Sequence, residues 1–180
     1  MPSPILITSF APWKAHQVSN ASDDLLASLE QRRALPSNAI LMRQIPVNFQ
    51  LAPCQVIAKL VELRPSILIC CGMAENRQRL NLELNGKRDD RVLKTSLNLS
   101  ALSRGTQLTE ISDCAGTYVC NHLYFTVLDF IQKTRFPTQA IFVHVPCLTP
   151  SNQPFLEADF TLILKRLNVV RVESSLQQAA

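Results

Sequence analysis

Three residues whose side chains could cooperate in nucleophilic hydrolysis lie in separate segments of the chain. Cys120 stands in the run 115–121, His144 follows 24 residues later in an apolar run, and Glu83 lies upstream of both. A thiol can attack a carbonyl carbon, an imidazole can accept and return the proton, and a carboxylate can hold the imidazole in the useful tautomer. These residue types indicate a cysteine-nucleophile hydrolase.

Each of the three residues also has an ordinary structural interpretation. Most free cysteines are small buried hydrophobes, and a histidine in an apolar strand is more often a core residue with a satisfied hydrogen bond. A glutamate in a strand that alternates apolar and polar residues usually faces solvent. Residue types alone therefore leave the catalytic and the structural interpretations open.

The chain alternates short apolar segments, typical of buried strands, with longer amphipathic segments, typical of helices. Strands are predicted at residues 4–9, 39–47, 66–71, 79–84, 107–111 and 139–145, and helices at residues 22–33, 51–63, 118–132 and 155–167. This alternation predicts an α/β fold with one domain over residues 1–180, a three-layer α/β/α sandwich around a twisted and mostly parallel sheet.

Some local details are also predicted. Ser22 is expected to cap the first helix, with Asp23 and Asp24 in its acidic first turn. Leucines alternate with polar residues over 79–84, which favours a half-buried strand. Residues 85–106 give only weak signals, apart from a short helical turn near residues 99–102.

Strand ends position the candidate residues. Phe10 and Trp13 follow the first strand, His144 closes the 139–145 strand, and Cys120 begins the helix that follows the 107–111 strand. Ligands of open α/β sheets gather at the carboxyl ends of strands, and a helix N-terminus stabilises a thiolate. We therefore expect these residues to share one site.

Composition excludes several classes of function. With 18 basic and 14 acidic residues the net charge is +4, and no basic run is interleaved with aromatics, which argues against nucleic-acid binding. No apolar stretch approaches the roughly 20 residues that span a bilayer, and the N-terminus does not read as a signal peptide. We expect a cytoplasmic protein whose six cysteines stay reduced, without a metal site.

Several segments resemble motifs of the pyroglutamyl peptidase I (pyrrolidone-carboxylate peptidase) family. The last two of these segments are the most specific. In order they are ILITSFAPW at residues 5–13, QIPVNF at 44–49, CGMAENR at 71–77 with LNLE at 80–83, AGTYVCN at 115–121 and FVHVP at 142–146.

The resemblance implies catalytic roles and an activity. Cys120 corresponds to the family's nucleophile, His144 to its general base and then acid, and Glu83 to the residue that orients His144. The family has a phosphorylase/hydrolase-like α/β/α fold and removes an N-terminal pyroglutamyl residue from small peptides through an acyl-enzyme. It uses neither a metal nor another cofactor, and it often forms homo-oligomers.

The resemblance also implies substrate-binding residues. Phe10 and Trp13 correspond to aromatic walls for the flat pyrrolidone ring, which is apolar on its faces and polar at its edge. Met73 and Arg91 are the further residues that the resemblance places at the site.

The chain also departs from the family pattern. Ser9, the pair Lys14-Ala15 and the pair Glu75-Asn76 stand where the family has glycines, and the segment from Glu83 to Cys120 is shorter. Glycines permit tight backbone turns near a pocket, so these changes alter its surroundings. Two alternatives therefore stay open: a binding protein without peptidase activity, and a hydrolase with a different substrate.

Overall fold

Six strands form one sheet and helices cover both of its faces, as seen in a computed structural model that describes residues 3–177. In chain order the elements are β1 (Ile5–Phe10), α1 (Ala21–Gln31), β2 (Ala39–Ile45), α2 (Leu51–Leu63), β3 (Ile67–Met73), β4 (Leu80–Glu83), β5 (Asn85–Arg88), β6 (Arg91–Lys94), α3 (Leu99–Ser103), β7 (Thr109–Ser112), α4 (Val119–Thr134), β8 (Gln139–Val145) and α5 (Gln153–Gln177).

The strand order of the main sheet is β2-β1-β3-β8-β4-β7. Neighbouring strands are parallel except for β4 and β8, which are antiparallel. Strands β5 and β6 pair only with each other as a separate hairpin. The predicted fold, an α/β domain with a mostly parallel central sheet between helices, is confirmed.

Alternating strand residues divide the core into two apolar layers. Ile5 and Ile7 of β1 pack in a cluster with residues of α1, α3 and α5, whereas Leu6 packs in a cluster with residues of α2 and α4. Because successive strand side chains point to opposite faces and helices cover both faces, the central strands are buried along almost their whole length. The face toward α2 and α4 is the one on which the site lies.

The first helix begins earlier than the sequence predicts. Asn20 is the N-cap, and its Oδ1 accepts a hydrogen bond from the backbone N–H of Ser22. Asp23 and Asp24 lie in the acidic first turn as predicted, and Asp23 is buried with Ser9 and Arg43 as partners of its carboxylate. The prediction of Ser22 as the cap is wrong because an upstream asparagine side chain takes that role.

Strand β4 is fully buried, and the prediction of a half-buried strand is wrong. Its polar residues Asn81 and Glu83 have no exposed surface, because β4 lies between β8 and β7 and its polar face is covered by α4. The weak segment that follows forms the β5–β6 hairpin and then α3, where only the short helical turn was expected.

Within residues 3–177, every helix is too short or too polar to cross a bilayer. All six cysteines are free thiols, and Cys70 and Cys71 are buried in the core layers on opposite faces of β3.

Candidate active site

Strand register brings Glu83 beside His144 on the face of the sheet that α4 covers. Asn81 lies opposite His144 in the β4–β8 pair, and Glu83 lies opposite Phe142. Glu83 is fully buried, and its Oε1 is 2.7 Å from Nδ1 of His144. A carboxylate oxygen only accepts hydrogen bonds, so Nδ1 donates and Nε2 keeps a free lone pair. This is the tautomer in which an imidazole can act as a base.

Arg77 is the second partner of the same carboxylate. Its Nη1 lies 3.0 Å from Oε1 of Glu83, and its Nη2 donates a 2.7 Å hydrogen bond to the carbonyl of Cys114. The other carboxylate oxygen, Oε2, is buried and has no hydrogen-bond partner within residues 3–177. Arg77 compensates the buried negative charge and ties the loop before β4 to the loop before α4.

Cys120 lies in the first turn of α4. The helix begins at Val119, and its N-cap residue Tyr118 forms no side-chain cap. Backbone N–H groups at this end of a helix lack intrahelical acceptors, and together with the helix dipole they favour negative charge on a nearby sulfur or oxygen. The position of Cys120 therefore suits a nucleophile whose attack generates an oxyanion.

Gly72 provides the space into which the sulfur of Cys120 fits. Gly72 pairs with His144 in the β3–β8 register. A Cβ at this position would lie 2.8 Å from Sγ of Cys120 and 2.8 Å from Cζ of Phe142, closer than van der Waals contact allows. Only a glycine at position 72 lets Sγ of Cys120 come this close to β3, next to His144 on the neighbouring strand.

Burial disfavours the thiolate form of Cys120. Burial raises its pKa to about 12, and the nearby Cys70 thiol and Glu83 carboxylate act in the same direction, while the backbone N–H of Cys120 lowers it. Among the described residues, no hydrogen bond joins Sγ of Cys120 to His144. The geometry thus provides a neutral thiol near an oriented imidazole.

A cavity of about 400 Å³ opens in front of these side chains. Its walls come from the loops that follow β1 and β3 and from the loop that precedes α4. Of the residues selected from the sequence, Cys120, His144, Phe10, Trp13 and Met73 line it. Glu83 lies behind His144, away from the cavity surface.

Trp13 and Tyr118 form an aromatic wall at the mouth of the cavity. Their rings stack with centroids 4.8 Å apart, and Phe49 packs edge-on against Tyr118 from outside. Trp13 remains 46% exposed and lines the cavity, so part of its ring can contact a ligand. Phe10, in contrast, is buried at the base of the cavity.

Arg91 is not brought to the cavity. It lies on β6, pairs with Asp129 of α4, and its guanidinium lies 5.1 Å from the ring centroid of Phe125. The cause is the short segment between Glu83 and Cys120, which folds back as the β5–β6 hairpin against the outer side of α4.

Three residues of the site were not selected from the sequence: Arg77, Tyr118 and Gly72. Arg77 lies in the segment 71–77 and Tyr118 in the segment 115–121, both of which resemble family motifs. Their place in these motifs could have identified them as site residues. The role of Gly72 depends on a close approach between β3 and α4, which no local pattern reveals.

The helix that carries Cys120 is fastened to the chain segment that carries Glu83. The hydroxyl of Tyr124 donates a 2.9 Å hydrogen bond to the carbonyl of Glu83. One turn earlier, the side chain of Asn121 accepts from the backbone N–H of Lys87 at 2.8 Å and donates to its carbonyl at 2.7 Å. These contacts fix Cys120 relative to the Glu83 carboxylate across two elements.

Within the part of the chain that the structure describes, no group of three His, Cys, Asp or Glu side chains is arranged to hold a metal ion. The donors in the site are one thiol, one imidazole and a carboxylate already engaged by Arg77.

Comparisons with known proteins agree on one family. The sequence model of the pyroglutamyl peptidase family matches residues 98–159. The pyrrolidone-carboxylate peptidase of Brachyspira hyodysenteriae is 25% identical over 92% of this chain and 95% of its own length. A relative of the same name from Thermoanaerobacter pseudethanolicus is 26% identical over 84% of this chain and 87% of its own.

Solved structures share the fold. The pyrrolidone carboxyl peptidase of Thermococcus litoralis has a TM-score of 0.79 at 21% identity and covers 96% of each chain. Pyroglutamyl peptidase I of Bacillus amyloliquefaciens has a TM-score of 0.78 at 17% identity and covers 90% of this chain and 95% of its own.

The chain has an α/β sandwich fold, and the proteins to which it is similar are pyroglutamyl peptidases. The family model, the relatives and the solved structures all point to the pyroglutamyl peptidase I family.

Proposed function

We propose that this protein is a cysteine peptidase that removes N-terminal pyroglutamate from peptides, with Cys120 as nucleophile, His144 as base and acid, and Glu83 as the residue that orients His144. The observation that carries the proposal is the 2.7 Å contact between Glu83 and His144, at the strand level where Gly72 leaves room for the sulfur of Cys120. A structural ion pair alone has no need for that space.

Acylation begins with a proton transfer. Because the thiol of Cys120 is neutral, its proton moves to Nε2 of His144 as the sulfur attacks the carbonyl carbon of the pyroglutamyl residue. The backbone N–H groups at the start of α4 favour the negative oxygen that forms. The C–N bond then breaks, and the imidazolium returns the proton to the departing amine, leaving a thioester on Cys120.

Deacylation uses the same side chains in reverse order. His144 accepts a proton from a water molecule, which attacks the thioester carbonyl. The C–S bond breaks, the thiol of Cys120 regains a proton, and 5-oxoproline leaves. Glu83 stabilises the imidazolium that forms in both halves of the reaction, and Arg77 keeps the carboxylate in place.

The cavity suits a small, flat and uncharged ring. Phe10 forms the base, Met73 contributes to one side, and Trp13 offers a partly exposed aromatic face. Such a ring gains from contact with aromatic faces, since it carries polar atoms only at its edge. Arg91 lies away from the cavity and has no part in this binding.

The test is hydrolysis of a pyroglutamyl amide of a fluorogenic amine. Wild-type protein is expected to release the amine, and Cys120→Ser to lower kcat by ~10⁴-fold or more, as loss of a nucleophile does in comparable triads. Cys54→Ser, which changes an exposed thiol on α2, is the matched control and should keep wild-type activity. Equal activity of wild type and Cys120→Ser would contradict the proposal.

A second candidate, a binding protein without turnover, is favoured by one observation. The raised pKa of Cys120 and the lack of a hydrogen bond between its sulfur and His144 among the described residues both disfavour activation of the thiol. Mass spectrometry after mixing with a pyroglutamyl peptide separates the two functions. Saturable binding without a thioester on Cys120 and without released amine would support the binding protein.

A further inference from the structure

The carboxylate of Glu75 contacts three side chains from the loop that follows β1. Its Oε2 pairs with Nζ of Lys14, and its Oε1 lies 2.9 Å from Nε2 of His16 and 3.0 Å from Nε2 of Gln17. Glu75 itself follows β3, so these contacts join two separate loops of the cavity wall. Lys14 and Glu75 both stand at positions where the motifs of the pyroglutamyl peptidase I family have glycine.

Gln17 extends the network to the backbone of Trp13. Its Nε2 donates to Glu75, and its Oε1 accepts hydrogen bonds from the backbone N–H groups of Trp13 at 3.0 Å and Lys14 at 3.2 Å. The ammonium of Lys14 also lies 5.2 Å from the ring centroid of Trp13, within range of a cation–π contact. Glu75 is therefore linked to Trp13 through two side chains, those of Gln17 and Lys14.

The position of Trp13 matters because its ring forms half of the aromatic wall. It stacks on Tyr118, which lies two residues before Cys120, and both rings line the cavity. Trp13 lies in a loop with no strand or helix to hold it, and nearly half of its surface is exposed. A loop of this kind moves unless side-chain contacts hold it.

We propose that Glu75 is a positioning residue for substrate binding, which acts through Gln17 and Lys14 to hold Trp13 against Tyr118. The proposal deepens the proposed function and rests on it, since the wall is taken to bind the pyroglutamyl ring. Hydrogen bonds from Lys14, Gln17 and His16 lower the pKa of Glu75 to about 2, so the carboxylate stays charged well into the acidic range. The ion pair between Glu75 and Lys14 restricts the motion of the loop that carries Trp13.

Tryptophan fluorescence tests the positioning directly, because Trp13 is the single tryptophan of the chain. Glu75→Ala is expected to raise the acrylamide quenching constant of Trp13 by about 1.5-fold or more, since the freed loop exposes the ring. Gln17→Ala should act in the same direction. Glu75→Gln, which keeps an oxygen for Gln17, should fall between wild type and Glu75→Ala.

Kinetics provide the second readout. Glu75→Ala is expected to raise KM for a pyroglutamyl amide about five- to tenfold with less than about a twofold change in kcat, because a loosened wall weakens ground-state and transition-state binding equally. Glu62→Ala, which removes an exposed ion pair with Lys59 on α2, is the control and should change neither fluorescence nor kinetics.

The two readouts separate this proposal from the proposed function. Quenching of Trp13 that does not change in Glu75→Ala and Gln17→Ala would overturn the positioning role, whatever the activity. A fall in kcat at constant KM would overturn it as well, since that pattern shows the loss of an interaction made only in the transition state and not of ring binding. Absence of turnover in wild type would contradict the proposed function while the fluorescence comparison still decides the role of Glu75.

Discussion

The two sides of the cavity are built in different ways. Glu83 and His144 lie on adjacent strands, are buried, and are set by sheet register. Trp13, on the other side, lies in a loop, is nearly half exposed, and is held through the contacts that Glu75 makes with Gln17 and Lys14. One side depends on backbone pairing and close packing, and the other depends on surface side chains.

This difference explains which parts of the chain keep the family pattern. A reacting group displaced by about 1 Å loses on the order of 10²-fold in rate, so groups that take part in chemistry are best placed on strands and helices. A ring-binding wall tolerates more change, because apolar contact is weakly directional. Lys14-Ala15 and Glu75-Asn76, which differ from the glycines of the family motifs, lie in the loops of the wall, apart from the buried pair of Glu83 and His144.

The largest effect among the buried contacts is expected for Glu83→Gln. A neutral amide neither stabilises the imidazolium of His144 nor fixes its tautomer, so kcat should fall ~10²- to 10⁴-fold while KM changes little. Steady-state kinetics with a pyroglutamyl amide measure both constants.

Glu30→Gln serves as the matched control for this change. Glu30 pairs with Arg43 on the surface, away from the cavity, so both kinetic constants should stay at their wild-type values. A Glu83→Gln variant with kcat within threefold of wild type would mean that the buried pair is purely structural.

Gly72→Ala is expected to have a smaller effect on kcat than Glu83→Gln, and to lower stability as well. The added methyl would meet Sγ of Cys120 and the ring of Phe142, so we expect kcat to fall about 10²-fold and the free energy of unfolding to fall by about 1–3 kcal/mol. Kinetics and denaturant unfolding measure the two effects separately.

Gly105→Ala separates crowding at the site from a general cost of replacing glycine. Gly105 has a φ of +70° and only the tip of Arg166 nearby, so the substitution should lower stability by about 1 kcal/mol through backbone strain and leave kcat unchanged. If Gly72→Ala behaves like Gly105→Ala, the close approach of Cys120 to β3 has no catalytic meaning.

The smallest effect is expected for Tyr124→Phe, which removes the hydroxyl on α4 that donates a hydrogen bond to the carbonyl of Glu83. The free energy of unfolding should fall by about 1–2 kcal/mol, and kcat by a few-fold, because α4 is less firmly fixed to β4. Thr134→Val removes another hydroxyl from α4, at its exposed end, and should affect neither kcat nor KM. Equal behaviour of the two variants would argue against fastening of α4 by Tyr124.

Much of the fold followed from local pattern. Strand β3 is a continuous apolar run, β8 is apolar from Ala140 to Val143, and α2 carries a clear apolar stripe, so their types were predictable from local pattern. The β5–β6 hairpin was missed because its strands are short and polar, and they are held by Asn121 and by the ring of Phe125 on α4. Contacts of this kind come from residues distant in sequence.

Residue types and their order along the chain already specify the available chemistry: a thiol at a helix start, a histidine at the end of a buried strand and a glutamate upstream. Which of these groups meet depends on the packing of separate segments. Register between β4 and β8 brings Glu83 to His144, Gly72 admits the sulfur, and the hairpin takes Arg91 away from the cavity. The physical reason is that residue type sets reactivity, whereas distance and burial depend on how separate segments pack.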